Sequence, residues 1–127
     1  MIVAIGVDLA EVDRIRSALQ RAHTGRRFRD RVFTVGEQAY CERRRRKYES
    51  YAARFAAKEA MMKTLGRGWS HEVGWTEIEV VRERGGRPMI RLHGNTAAYA
   101  ARLGIRRISL ALTHTAETAL AQVVAED

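Results

Sequence analysis

The stretch from Arg54 to Gly66, Arg-Phe-Ala-Ala-Lys-Glu-Ala-Met-Met-Lys-Thr-Leu-Gly, constrains the chain most, because nearly every residue favours helix and the charges fall at helical spacing. Ala, Met, Leu, Lys and Glu lose little side-chain freedom in a helix, and Gly66 stands where a left-handed residue commonly ends one. The spacing predicts a long helix from about Glu49 to Leu65. Glu59 and Lys63, four apart, share a face, and Phe55 and Met62 lie close to the same line. The plain meaning is a surface ion pair contributing roughly 0.2–0.5 kcal/mol. A carboxylate and an ammonium bordering an apolar stripe can also form one wall of a site.

The remaining segments punctuate clearly. Ile2 to Val7 reads as a buried strand ending in Asp8, with Gly6 allowing close approach of another group. Val12, Ile15, Leu19 and Ala22 make one apolar stripe of an amphipathic helix whose other face carries Asp13, Arg14, Arg16 and Arg21. Thr24 to Phe33 has no clean periodicity and reads as a basic loop pinned by Phe28 and Phe33. Thr34-Val35-Gly36-Glu37 has the form of a capping box that opens a short helix to about Arg43. After a loop from Gly66 to Gly74, Thr76 to Arg82 and Met89 to Leu92 flank Gly85-Gly86 as a β-hairpin, with Pro88 starting its second strand. Asn95 is expected to cap a helix from Thr96 to Leu103 closed by Gly104. Ile108, Leu110 and Leu112 alternate with small or polar residues in a strand that delivers His114, and Ala119 to Val124 is expected to pair back on it. The sum is one α+β domain over residues 1–127, with an antiparallel or mixed sheet packed on a long central helix.

One domain of 127 residues can bury a core but cannot enclose a large ligand, so a surface cleft or a subunit seam is expected to serve. No apolar run is long enough to span a membrane. The segment from Met1 to Asp8 lacks a basic leader, and the single cysteine, Cys41, cannot form an internal disulfide. Both point to the cytoplasm. The net charge is +8, and most of it sits between Arg21 and Lys47, where ten basic residues face three acidic ones, a local +7. Such a patch attracts polyanions: nucleic acid, anionic lipid, nucleotide phosphates or an acidic protein.

Three positions could carry chemistry: Asp8, Glu59 with Lys63, and His114. Two hard carboxylates from different elements suit magnesium, which takes one or two protein carboxylates and completes its shell with water and phosphate. Lys63 would then meet phosphate charge, and His114 could donate to a phosphate or act as a base. Taken singly, each has a plain alternative, a helix cap for Asp8 and a structural role for His114. No zinc spacing, Walker loop or dinucleotide fingerprint is present, and Gly66-Arg67-Gly68 is only a short glycine pair. The basic run after Cys41 would lower its pKa, yet no partner base is evident.

Gly6-Val7-Asp8 followed by Arg14, then Arg54-Phe55-Ala56-Ala57-Lys58-Glu59-Ala60, Lys63 and Gly66, then Leu112-Thr113-His114, resemble in this order the holo-[acyl-carrier-protein] synthase family of small 4′-phosphopantetheinyl transferases. The likeness runs from Ile5 to about Glu126. It implies transfer of the 4′-phosphopantetheine arm of coenzyme A to a serine of an acyl carrier protein, leaving adenosine 3′,5′-bisphosphate. It implies that Asp8 and Glu59 bind magnesium, that Lys63 and Gly66 lie at the phosphates, and that Arg54 and His114 hold the nucleotide end. Glu59, Lys63 and His114 are the expected catalytic residues, with the general base left open. Arg14 and Arg21 of the first helix are expected to dock the acidic carrier, and a homotrimer with sites at subunit seams is expected. Two departures stand out: Thr24 to Tyr48 is more Arg-rich than the family pattern, and Thr113 replaces the usual serine.

Two rival classes remain at this level. A nucleic-acid module built on Arg43 to Lys47 would bind in a salt-dependent way without magnesium or coenzyme A, but it lacks the interleaved aromatics that stack bases. A silent carrier-binding protein would keep the fold without the chemistry.

Overall fold

A computed structural model describes all 127 residues. In chain order the elements are β1 (Ile2–Glu11), α1 (Val12–Gln20), α2 (Gly25–Val32), α3 (Val35–Glu42), α4 (Lys47–Leu65), β2 (Ile78–Arg82), β3 (Pro88–Leu92), α5 (Gly94–Arg102), β4 (Arg107–His114) and β5 (Thr118–Glu126). A short 3-10 turn, Trp75–Glu77, precedes β2. The protein is α+β, and both of its sheets are antiparallel: a three-stranded one in the order β1-β5-β4 and the separate β2-β3 hairpin.

The long helix organises the rest because small residues line it. Ala52, Ala53, Ala56, Ala57 and Ala60 are all buried, so the sheet can lie directly on the helix backbone. Gly6 of β1 sits so close to the Ala60 carbonyl and the Thr64 hydroxyl that a Cβ there would overlap both. Any side chain at position 6 would push β1 off α4. Gly66 ends α4 in the left-handed conformation, φ 73°, as expected from the sequence.

Several expectations need correction. Asp8 is not at a strand exit: β1 continues to Glu11, and Asp8 pairs with Ala121 in mid-sheet. Nor is β1 buried on both faces, since Val3, Ile5, Val7 and Leu9 are exposed while Gly6 and Ala10 are buried. An edge strand with one face on a helix alternates, and the apolar run masked this. The expected loop from Thr24 to Phe33 is helix α2, which an Arg-dominated composition concealed even though Phe28 packs on the core. Helix α1 ends at Gln20, so Arg21 and Ala22 lie beyond it and Ala22 is exposed. Helix α5 starts at Gly94 after His93, and Asn95 caps nothing with its side chain. Instead Glu77 accepts the amides of Asn95 and Thr96 at 3.2 and 3.1 Å, satisfying orphan donors from outside the helix. The Thr34–Glu37 capping box is present in both directions.

Candidate active site

The end of β1, the start of α1 and one face of α4 frame an open cleft of about 670 Å³. Asp8, Glu11, Arg14, Arg21, Phe28, Phe55 and Glu59 line it. Asp8 comes from β1, Arg14 from the exposed face of α1, and Phe55 and Glu59 from one face of α4, four residues apart. The apolar side of the cleft is an aromatic ladder. Trp75 stacks on Phe55 with ring centroids 5.3 Å apart, and Phe55 lies 6.2 Å from Phe28.

Lys63 does not serve Glu59 as a simple helix-surface partner. Its Nζ donates to Asp8 Oδ1 and to the Val7 carbonyl, each at 3.0 Å. Burial pushes the Glu59 carboxyl above its ordinary range, and the negative charge of Asp8 adds to this against the pull of Lys63 and Arg14. Two neighbouring carboxylates from different elements, with cations at the rim, form a donor set for a hard divalent ion. No cluster of three or more His, Cys, Asp or Glu residues is present, which disfavours an all-protein metal cage. Magnesium, needing only one or two carboxylates beside phosphate, fits the pair.

Arg54 and His114 are not in this cleft. His114 Nδ1 meets Glu49 Oε1 at 2.8 Å, near the start of α4. Asp8 meets Lys63 near its end, 14 residues or roughly 21 Å further along the helix. His114 also lies on the edge strand β4, across β5 from β1. With Arg43, Arg44, Arg45, Arg46 and Ser50, His114 lines a second concavity of about 500 Å³ that has no apolar lining. The chain therefore carries two separate groups: Asp8, Glu59, Lys63, Arg14 and Arg21 in one, His114 and the basic run in the other. Gly66 ends the helix three residues past Lys63, with open space where a side chain would be.

Some residues had gone unread in the sequence. Lys58, beside Glu59, is fully buried and pairs with fully buried Glu37 at 2.8 Å. Its Nζ also donates to the Trp75 carbonyl at 3.0 Å and to the Ile78 carbonyl. It occupies the row Tyr51, Lys58, Leu65, an apolar row seven residues apart, and a charge in that row was the available signal. Cys41 reverses its expectation: it is buried, and burial pushes its thiol up to about 12 despite the coulombic pull of Arg54. Buried and held as a thiol, Cys41 presents no exposed thiolate.

The sequence pattern of the 4′-phosphopantetheinyl transferase superfamily matches residues 4–121. The chain belongs to that superfamily. A holo-[acyl-carrier-protein] synthase of Solibacter usitatus is 52% identical over 127 residues, covering all of both chains, and one from Koribacter versatilis is 46% identical over the same span. Among solved structures, the holo-[acyl-carrier-protein] synthase of Neisseria meningitidis superposes with a TM-score of 0.88 at 30% identity over the whole of both chains. That of Helicobacter pylori, solved in complex with coenzyme A, gives 0.84 at 28% identity over 96% of this chain and 99% of its own. The transferase has no helix long and apolar enough to cross a membrane.

Proposed function

We propose that the chain moves the 4′-phosphopantetheine arm of coenzyme A onto a serine hydroxyl of an acidic acyl carrier protein, releasing adenosine 3′,5′-bisphosphate. The observation that carries the reading is the meeting of Asp8, Glu59 and Lys63 with Arg14 of α1 and Arg21 just past its end around one cleft, in a chain of this superfamily. Coenzyme A is present in the structure of the Helicobacter pylori relative, and the same substrate suits the phosphate-directed charges here.

Asp8 and Glu59 would hold magnesium. When bound, the ion supplies the positive charge that gathers pyrophosphate oxygens and makes the phosphorus more electrophilic. Lys63, already aimed at Asp8, contributes a second positive charge to the oxygens that gain charge as the serine oxygen attacks. Phe55 and Phe28, braced by Trp75, give an apolar surface that excludes water from one side of the reaction. The serine proton would go to Glu59 or to His114. Arg14 and Arg21 face outward at the cleft rim, where they steer an acidic carrier.

A second copy of the chain completes the site in this reading. His114 stands far from Asp8 and Arg54 lies outside the Asp8 cleft, while Ile5, Val7 and Leu9 leave an apolar stripe open on the outer face of β1. Burying that stripe against neighbouring copies would bring one protomer's His114 beside another's Asp8, and a homotrimer closes such a contact. The cytoplasm is the proposed compartment.

Mass spectrometry tests the activity. With coenzyme A and magnesium, an apo carrier protein gains one phosphopantetheine unit. No gain across several fatty-acid and polyketide carrier proteins would sink the reading.

A further inference from the structure

A buried guanidinium ordinarily faces a carboxylate, and Arg54 does not. Its side chain is 2% exposed, its Nε has no hydrogen-bond partner, and Nη1 reaches only the Ser50 carbonyl, at 3.4 Å. What Arg54 faces is the ring of Tyr40, with 4.1 Å between the guanidinium carbon and the ring centroid. Arg44 and Arg82 lie over the same ring, each 5.4 Å away. The acids nearby are committed elsewhere: Glu42 to Lys47 and the Tyr51 hydroxyl, Glu49 to His114.

An aromatic face and a carboxylate hold an arginine in different ways. A carboxylate fixes the guanidinium and cancels its charge, whereas a ring fixes it and leaves the charge and most N–H donors available. Gathering guanidiniums on one ring is unfavourable until an anion arrives. The neighbouring space suits one, because Arg44 lines the concavity that His114 shares, and so does Ser50, whose carbonyl receives Arg54.

We propose that Tyr40 is a positioning residue whose ring holds Arg54 and Arg44, uncancelled, for a phosphate group of the coenzyme's nucleotide half. The proposal rests on the coenzyme A reading above. Tyr40 touches no reacting atom; it acts through the two arginines. The attraction is to the ring face, so the hydroxyl is dispensable and the ring is not.

Steady-state transfer at saturating carrier protein, with coenzyme A and with 3′-dephospho-coenzyme A, tests this in the full chain with magnesium. Tyr40→Leu is expected to raise KM for coenzyme A about 3- to 30-fold, as loss of one such contact predicts, with kcat within about twofold. Tyr40→Phe is expected to stay within about twofold of the unaltered protein in both. If the KM for the dephospho analogue does not move in Tyr40→Leu, the phosphate held is the 3′-monoester; if it rises equally, it is the pyrophosphate; both support the proposal. Should Tyr40→Leu fail to fold, pentafluorophenylalanine at position 40 keeps the shape, reverses the ring's quadrupole and is expected to give the same rise. A lower melting temperature with unchanged KM would show a merely structural ring and overturn the proposal. An unaltered protein that transfers nothing overturns the activity reading instead, a different result from transfer with insensitive KM.

Discussion

In helix α4, Lys58 and Lys63 stand five residues apart, each paired with a carboxylate from another element, and the two pairs differ in every respect that decides function. Lys58 and Glu37 are both fully buried, and the lysine's remaining donors go to the carbonyls of Trp75 and Ile78. Glu37 is equally occupied, receiving the amides of Thr34 and Val80 at 2.9 and 2.7 Å. Burial depresses the Lys58 ammonium's proton affinity, and Glu37 opposes that. In the other pair Lys63 is open, its side chain 55% exposed, over an Asp8 that keeps 15%, and their neighbour Glu59 is held above its ordinary range. The closed pair ties α3, α4 and β2 together and has nothing left to offer a ligand. In the proposed reading the second pair is exchangeable: a divalent cation would replace Lys63 at Asp8, and a phosphate would replace Asp8 at Lys63.

That contrast fails if the closed pair can be cut without harm. Lys58→Met leaves a buried, uncompensated carboxylate, a loss of about 3–5 kcal/mol, and denaturant titration should show it. Converting Glu37 to Met as well should recover only part, because the amides of Thr34 and Val80 would then lack an acceptor. Full recovery by the double variant would mean that the amides find other partners and that the cluster ties nothing together.

The open pair should break in the opposite way. Asp8→Asn and Glu59→Gln are each expected to lower magnesium-dependent transfer by at least about 100-fold, some 2.7 kcal/mol, with melting temperatures within about 2 °C. The mass-spectrometric assay reads the first quantity and calorimetry the second. A large loss of stability would place Asp8 with Lys58 on the structural side. A smaller effect, roughly tenfold in kcat/KM at low salt, is expected for Arg14→Glu, since like charge would then meet an acidic carrier. That penalty should shrink towards unity near 0.5 M salt as the charges are screened.

The difference between these pairs also marks how far the sequence could be read. The helix, its Gly66 stop, the hairpin around Gly85-Gly86 and the β4-β5 return were all legible, because period and turn chemistry are local. Lys58 was not, since its partners Glu37, Trp75 and Ile78 lie 17 to 21 positions away and only the fold brings them together. Helix α2 was hidden because four of its eight residues are arginines, which spoil an apolar stripe that Phe28 and Val32 alone sustain. The resemblance grouped Asp8, Glu59, Lys63 and Arg14 with His114 and Arg54; the structure brings the first four together, while the separation of His114 from them needed strand order. Register is not visible in a single strand.

A third carboxylate sharpens the comparison with the smallest expected effect. Glu77 is neither closed by a lysine nor open to a ligand: the Thr96 hydroxyl at 2.8 Å and the amides of Thr96 and Asn95 satisfy it. Burial alone would push its carboxyl up, but those hydrogen bonds, with His93, outweigh burial and hold it below the ordinary range. A group whose folded pKa is depressed stabilises the protein above its unfolded pKa, near 4.3 for glutamate, and loses that contribution as pH falls through the folded value. Glu77→Gln should therefore cost about 1 kcal/mol at pH 7, roughly 3–5 °C in melting temperature. The gap from the unaltered protein should close as pH drops below about 4. A constant gap down to pH 3 would mean that the amides are satisfied by shape rather than by charge, and Glu77 would then belong with neither lysine pair.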